Sequence, residues 1–107
     1  MKKIKKPTRP YPTLGRILKE IRIIKHCTQL ELAEALSLTS PQFISNVERG
    51  ICSMSPEMMG KLALRLRIPG NTLLSAYIKD KELNYKKRIR AVTGGHGRHL
   101  TKVDVTI

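Results

Sequence analysis

Helix-start signals recur at such short intervals along this chain that only short helices joined by tight turns fit between them. Thr13 stands before Leu14, Ile17, Leu18 and Ile21, an apolar stripe at i, i+3, i+4 and i+7 that Ile24 prolongs. This predicts a first helix with Thr13 as its N-cap, running to about Lys25. Thr28, with Glu31 three residues later, forms a capping box in which hydroxyl and carboxylate satisfy each other's orphan backbone donors. Leu32, Ala33 and Leu36 supply the apolar face of the helix it opens. Ser37 to Ser40 leaves room only for a turn. Ser40 before Pro41 reads as an N-cap followed by proline at the first helical position, so a third helix runs from Pro41 to about Arg49. Ile44 and Val47 point inward on it, and Gly50 is its left-handed C-cap. Ser55-Pro56-Glu57 opens a fourth helix, striped by Met59, Leu62, Ala63 and Leu66 and closed before Pro69.

After Pro69-Gly70, Asn71 or its neighbour caps a fifth helix carrying Leu73, Leu74, Tyr77 and Ile78. Tyr85, Ile89 and Val92 keep helical spacing, so this helix either runs on or restarts as a basic amphipathic extension before Gly94-Gly95. Val103, Val105 and Ile107 then alternate as a half-buried strand does. With no other strand to pair, this tail is expected either to be disordered or to pair with a partner. The chain thus divides into an arm (1–12), a helical domain (13–79) and a basic helical extension with its tail (80–107).

With 107 residues there is room for one core, and with aromatics at only 4 % that core must be built from Leu, Ile, Val, Met and Ala, which suits an all-α fold of five packed helices. The 21 Lys and Arg against 8 Asp and Glu give a formal charge of +13, more than solubility requires, and point to a polyanionic partner. A membrane partner is not expected, since no apolar run approaches the roughly 20 residues of a span. The start MKKIKK imitates the charged part of a signal peptide, but PTRPYPT follows where its apolar segment should lie, so a cytoplasmic protein is expected. Cys27 and Cys52 lack CxxC spacing and read as reduced, partly buried thiols, with a disulfide as the alternative.

The charge is unevenly placed. Residues 28–50 carry Arg49 against Glu31, Glu34 and Glu48, a net charge of −2, whereas nine basic residues lie within 1–25 and eight within 79–107. Lys2, Lys3, Lys5, Lys6 and Arg9 share the first segment with Pro7, Pro10 and Pro12, which block helix and favour an extended arm. Such an arm suits phosphates or a minor groove.

The segment TQLELAEALSLTSPQFISNVERG, Thr28 to Gly50, resembles the phage-repressor or Cro-like helix-turn-helix family, the xenobiotic-response-element type. The likeness extends from about Leu14 to Leu74 and includes Gly15, Arg22, Thr28-Gln29, Leu32-Ala33, Ser45 and Glu48-Arg49-Gly50. Its physical counterpart is a small residue, Ala33, where two helices cross steeply, with Leu32, Leu36, Leu38, Ile44 and Val47 pointing inward around it. Ser37 and His26 stand where the family commonly has glycine, and the turn from Leu36 to Pro41 is one residue longer than usual.

The resemblance implies a transcriptional regulator that binds double-stranded DNA, a repressor and a homodimer on a palindromic site, with its recognition helix in the major groove. Pro41, Gln42 and Asn46 would face the bases, with Ser45 beside them. Gln and Asn amides suit bidentate pairing with adenine, and Phe43 either packs inward or touches a thymine methyl. Phosphates are expected at Thr28 and Gln29, where a helix N-terminus offers free amides, and at Ser40 and Arg49. Arg22 and Glu48 occupy the positions of the family's buried ion pair.

Two other functions share this pattern: an antitoxin that binds a toxin or other protein partner through the C-terminal tail, and an architectural nucleic-acid binder. An enzyme is not expected, nor any cofactor. His96 and His99 sit among glycines with no acidic cluster to complete a metal site, and no nucleophile and base pair or phosphate loop is present.

Overall fold

The computed structural model describes residues 8–94. They form five helices, α1 (Pro12–Ile24), α2 (Gln29–Ala35), α3 (Gln42–Glu48), α4 (Pro56–Leu66) and α5 (Thr72–Thr93), with no strand among the described residues. The fold is all-α, with the five helices that the start signals predict. Lys2, Lys3, Lys5, Lys6 and the alternating Val103, Val105 and Ile107 lie outside the described residues.

α1 packs against α3 and α5, α2 against α3 and α4, and α4 against α5. Leu14 and Leu18 of α1, Leu32 of α2, Ile44 and Val47 of α3, Leu62 and Leu66 of α4 and Leu73 of α5 meet in one core and are essentially sealed from solvent. Each such aliphatic side chain contributes about 1.5–3 kcal/mol by leaving water. The outer end of the α1 stripe does not reach this core, and Ile24 is 70 % exposed.

The start of α1 differs from the expectation. Thr13 is not the N-cap: the helix begins two residues earlier than expected, at Pro12, Tyr11 holds the cap position, and no side chain of the first turn caps it. The cap comes from α5 instead. Asp80, 1 % exposed, accepts hydrogen bonds from the backbone N–H of Thr13 at 3.0 Å and of Leu14 at 2.8 Å. A carboxylate at a helix N-terminus satisfies the orphan donors and complements the positive end of the dipole. Next to it Asn84 donates to the Pro10 carbonyl at 2.8 Å, the Tyr11 N–H donates to the Gly50 carbonyl at 3.0 Å, and the Tyr11 and Tyr77 rings stack at 5.8 Å.

α5 runs unbroken to Thr93, so of the two sequence outcomes the continuous helix obtains. Its inward face is Leu73, Ala76 and Asp80, with Tyr77 half-buried. The expected Leu74 and Ile78 face outward, at 41 % and 53 % exposure. The reason is Asp80: turning that carboxylate onto α1 rotates Leu74 and Ile78 away from the core.

α1 to α4 all end the same way, with a residue in the left-handed region and a backbone N–H one residue further on reaching back to the last turn: Cys27 to Arg22, Leu38 to Ala33, Ile51 to Asn46 and Ile68 to Ala63. This is the Schellman arrangement, usually closed by glycine. Here Gly50 is the only glycine among the four, and His26, Ser37 and Arg67 adopt φ of 58°, 63° and 59°. The two family positions where glycine is replaced therefore keep the backbone that glycine favours.

Glycine is required at one interhelix contact. A Cβ on Gly15 would lie 2.5 Å from the Glu48 carbonyl oxygen and 2.6 Å from that of Val47, so α1 and α3 touch backbone to backbone. Gly15→Ala is expected to destabilise the protein by about 1–3 kcal/mol through this overpacking, read as a lowered thermal midpoint with helix content retained.

Candidate nucleic-acid interface

The interface begins at the capping box. Thr28 Oγ1 accepts from the Glu31 N–H at 3.0 Å while Glu31 Oε1 accepts from the Thr28 N–H at 2.8 Å. The Thr28 backbone hydrogen bond, above all, holds the Glu31 carboxyl below the usual carboxylate range, opposed by some burial and aided by the Thr28 hydroxyl and Arg65. Because Glu31 takes the Thr28 amide, the first-turn N–H groups of Gln29 and Leu30 are the ones without intrahelical partners at this end of α2.

The turn to α3 passes through left-handed Ser37, then Leu38 to Pro41. The expected start of α3 shifts by one residue: Pro41 occupies the N-cap and Gln42 is the first helical residue. Ser40 still assists, accepting from the Gln42 N–H at 3.4 Å. The longer turn is what moves the boundary, since the extra residue is taken up before the helix begins.

α3 divides cleanly into two faces. Ile44 and Val47 are fully buried, and Phe43 is half-buried, packed against the core on one side. On the other face Pro41, Gln42 and Arg49 are exposed, with Ser45 and Asn46 half-buried. Gln42 Nε2 donates to Asn46 Oδ1 at 3.0 Å, and Arg49 Nη2 donates to the same oxygen at 2.6 Å. The Asn46 side-chain carbonyl therefore accepts twice. Gln42 keeps one N–H and its whole carbonyl, the donor and acceptor that an adenine edge matches. A shallow groove beside this face is lined by Leu38, Thr39, Ser40, Gln42, Phe43 and Asn46.

Behind the face, Glu48 holds the geometry. Its carboxylate accepts from Arg22 Nε at 2.6 Å, from Arg22 Nη2 at 3.1 Å and from Gln29 Nε2 at 2.9 Å. The Glu48 side chain is 3 % exposed and that of Arg22 14 %. The hydrogen bond to Glu48 raises the Arg22 pKa further above its ordinary value against the opposing effect of burial, and Arg22 also donates to the Cys27 carbonyl at 3.0 Å. The Arg22 and Glu48 pair expected from the resemblance is thus formed, and Gln29 turns its side chain inward to join it.

This pairing changes the meaning of the local charge. The net −2 of residues 28–50 includes Glu48, which is neutralised by Arg22 and withdrawn from solvent, so the outward face of α3 carries Arg49 as its formal charge. Arg9, at the edge of the described arm, is exposed. Cys27 and Cys52 are free thiols and burial pushes that of Cys52 up, so the disulfide alternative does not obtain. Among the described residues no group of His, Cys, Asp and Glu is placed to hold a metal ion, and His96 and His99 lie outside them. The brace of Asn46 by Gln42 and Arg49 goes beyond the sequence expectations, although the i+3 and i+4 spacing that creates it is visible in the chain. Thr39, on the groove wall, carries no such signal.

Two short helices joined through a tight turn, the second presenting a polar face from an apolar base, define a helix-turn-helix DNA-binding module. The helix-turn-helix family profile matches residues 18–73, more than half of the chain, and the protein belongs to that family, in its Cro-like, xenobiotic-response-element branch. It is a DNA-binding transcription regulator of that type. Comparison with curated proteins gives no match. Among the described residues no helix is long and apolar enough to cross a membrane.

Replacing one member of the buried pair strands the other. Glu48→Leu alone is expected to lower stability by about 3 kcal/mol, while the double variant Arg22→Met with Glu48→Leu recovers most of that loss. Denaturant unfolding of the unaltered protein, the two single variants and the double variant measures the coupling.

Proposed function

We propose that this protein is a sequence-specific repressor that binds double-stranded DNA as a homodimer on a palindromic site, with α3 in the major groove. The hydrogen-bonded row of Gln42, Asn46 and Arg49 on the outward face of α3 carries this reading. Bidentate contact with adenine is assigned to Gln42, whose free N–H and carbonyl match N7 and N6, while Asn46 offers donors to a neighbouring acceptor such as guanine O6 or thymine O4. Pro41 and Ser45 flank this contact, one apolar and one hydroxylic.

Thr28, Gln29, Ser40 and Arg49 are assigned to phosphates around α3. Gln29 serves through its backbone amide, because its side chain is committed to Glu48. The basic arm, with Lys2, Lys3, Lys5, Lys6 and Arg9, supplies affinity that is independent of sequence. The hold of α5 on Pro10, Thr13 and Leu14 supports this division, since it ties the root of the arm to the helical core. The proposed site of action is the cytoplasm, on the nucleoid in a prokaryotic cell.

Selection of bound sequences from a random DNA pool tests the reading. A two-fold symmetric consensus is expected, with its adenine preference relaxed in the Gln42→Ala protein and affinity for unselected DNA unchanged. Equal recovery of all sequences by the unaltered protein would sink it. Deleting residues 1–9, which spares the Pro10 carbonyl, is expected to flatten the dependence of log affinity on log salt by about 0.9 for each phosphate that the arm neutralises. An unchanged slope in a binding titration would remove the arm from the interface.

A further inference from the structure

The groove beside the outward face of α3 is left unused by the contacts assigned to Gln42 and Asn46. Half of its lining, Leu38, Thr39 and Ser40, comes from the turn between α2 and α3, the segment that is one residue longer than the family's usual. The other half is Gln42, Phe43 and Asn46 of α3. Leu38 and Phe43 are its apolar part: both are half-buried, packed against the core on one side and open to the groove on the other. Thr39 and Ser40 border it on the turn and are exposed.

The chemistry of this lining limits what can enter. None of the six residues is charged, so the groove offers a phosphate no cation. Its polar atoms are largely engaged within the protein. Asn46 Oδ1 accepts from Gln42 Nε2 at 3.0 Å and from Arg49 Nη2 at 2.6 Å, and Ser40 Oγ accepts from the Gln42 N–H at 3.4 Å. A hydrogen-bonding base edge finds few free partners there, whereas a small apolar group meets an aromatic ring, a leucine and the methyl of Thr39. Along the major groove the bases present one such group, the C5 methyl of thymine.

We propose that this groove is a subsite for the C5 methyl of a thymine, at the base pair read by Gln42 or the pair next to it. The groove is continuous with the reading face, because Gln42 and Asn46 belong to both. A duplex seated on that face brings the methyl edge of a thymine against Leu38, Thr39 and Phe43. The lengthened turn thereby takes part in choosing the sequence, and Thr39 becomes a specificity-determining residue. Phe43 serves on two sides, holding α3 to the core with one and meeting the methyl with the other.

The inference rests on the reading of DNA by α3 proposed above, and its test separates the two. In the sequence selected from the random pool, each thymine is replaced in turn by deoxyuridine, which keeps every hydrogen-bonding group and lacks only the methyl. Affinity for each duplex is measured by a binding titration with the full chain. At one thymine position of each half-site the replacement is expected to weaken binding about fourfold for each methyl removed. Thr39→Asn, which sets a polar amide beside the groove at an exposed position, should remove most of that loss and leave the thermal midpoint unchanged. Binding indifferent to deoxyuridine at every thymine overturns the proposal and leaves recognition by Gln42 intact. A loss that persists in full in the Thr39→Asn protein also overturns it, since the methyl then lies elsewhere on the surface. Equal recovery of all sequences from the pool overturns both this inference and the reading beneath it.

Discussion

A carboxylate at the end of α3 joins three helices that short-range signals create separately. Glu48 takes two hydrogen bonds from Arg22 of α1 and one from Gln29 of α2, with its side chain almost closed to water. Desolvating such a pair offsets much of its attraction, so its value lies less in stability than in orientation. The bidentate guanidinium geometry specifies how α3 sits on α1, and the Gln29 amide specifies how α2 meets both. The direct backbone contact at Gly15 lets α1 and α3 come close enough for this junction to form. The reading face of α3 is as rigid as the junction behind it.

The helix ends follow from backbone geometry more than from residue preference. A left-handed residue with a returning N–H satisfies two orphan carbonyls and reverses the chain within a few residues. A side chain in that conformation costs about 1 kcal/mol relative to glycine, and this protein accepts the cost at His26, Ser37 and Arg67. At Ser37 the turn between α2 and α3 depends on it. The departures from the family's glycines therefore alter the energy of the turns without altering their shape.

α5 links the reading head to what surrounds it. Through Asp80 and Asn84 it caps α1 and holds the chain at Pro10, just inside the basic arm. Its opposite face, around Tyr85, is exposed among the described residues. One helix thus fixes where the arm leaves the domain. The placement of charge fits this arrangement: the flanks are basic, and Arg22 neutralises the buried carboxylate of the reading head.

The number of helices, the capping box at Thr28, the inward residues of α3 and α4, and the pairing of Arg22 with Glu48 are all legible in the amino-acid order. The first three rest on local periodicity and capping chemistry, which a short window contains, whereas the pairing of Arg22 with Glu48, 26 residues apart, is legible only through the family resemblance. The cap of α1 is different, because it exists only once the chain has folded. The donors at Thr13 and Leu14 are satisfied by a carboxylate 66 residues away from Leu14, and no local pattern records a partner so distant. The rotation of α5 follows from the same contact: Leu74 and Ile78 fit an inward stripe by spacing, but burying Asp80 against α1 turns them to solvent. The start of α3 moves by one residue for a similar reason. A turn of unusual length shows in the sequence, whereas the residue at which helical geometry resumes depends on where α2 and α3 are held by the core.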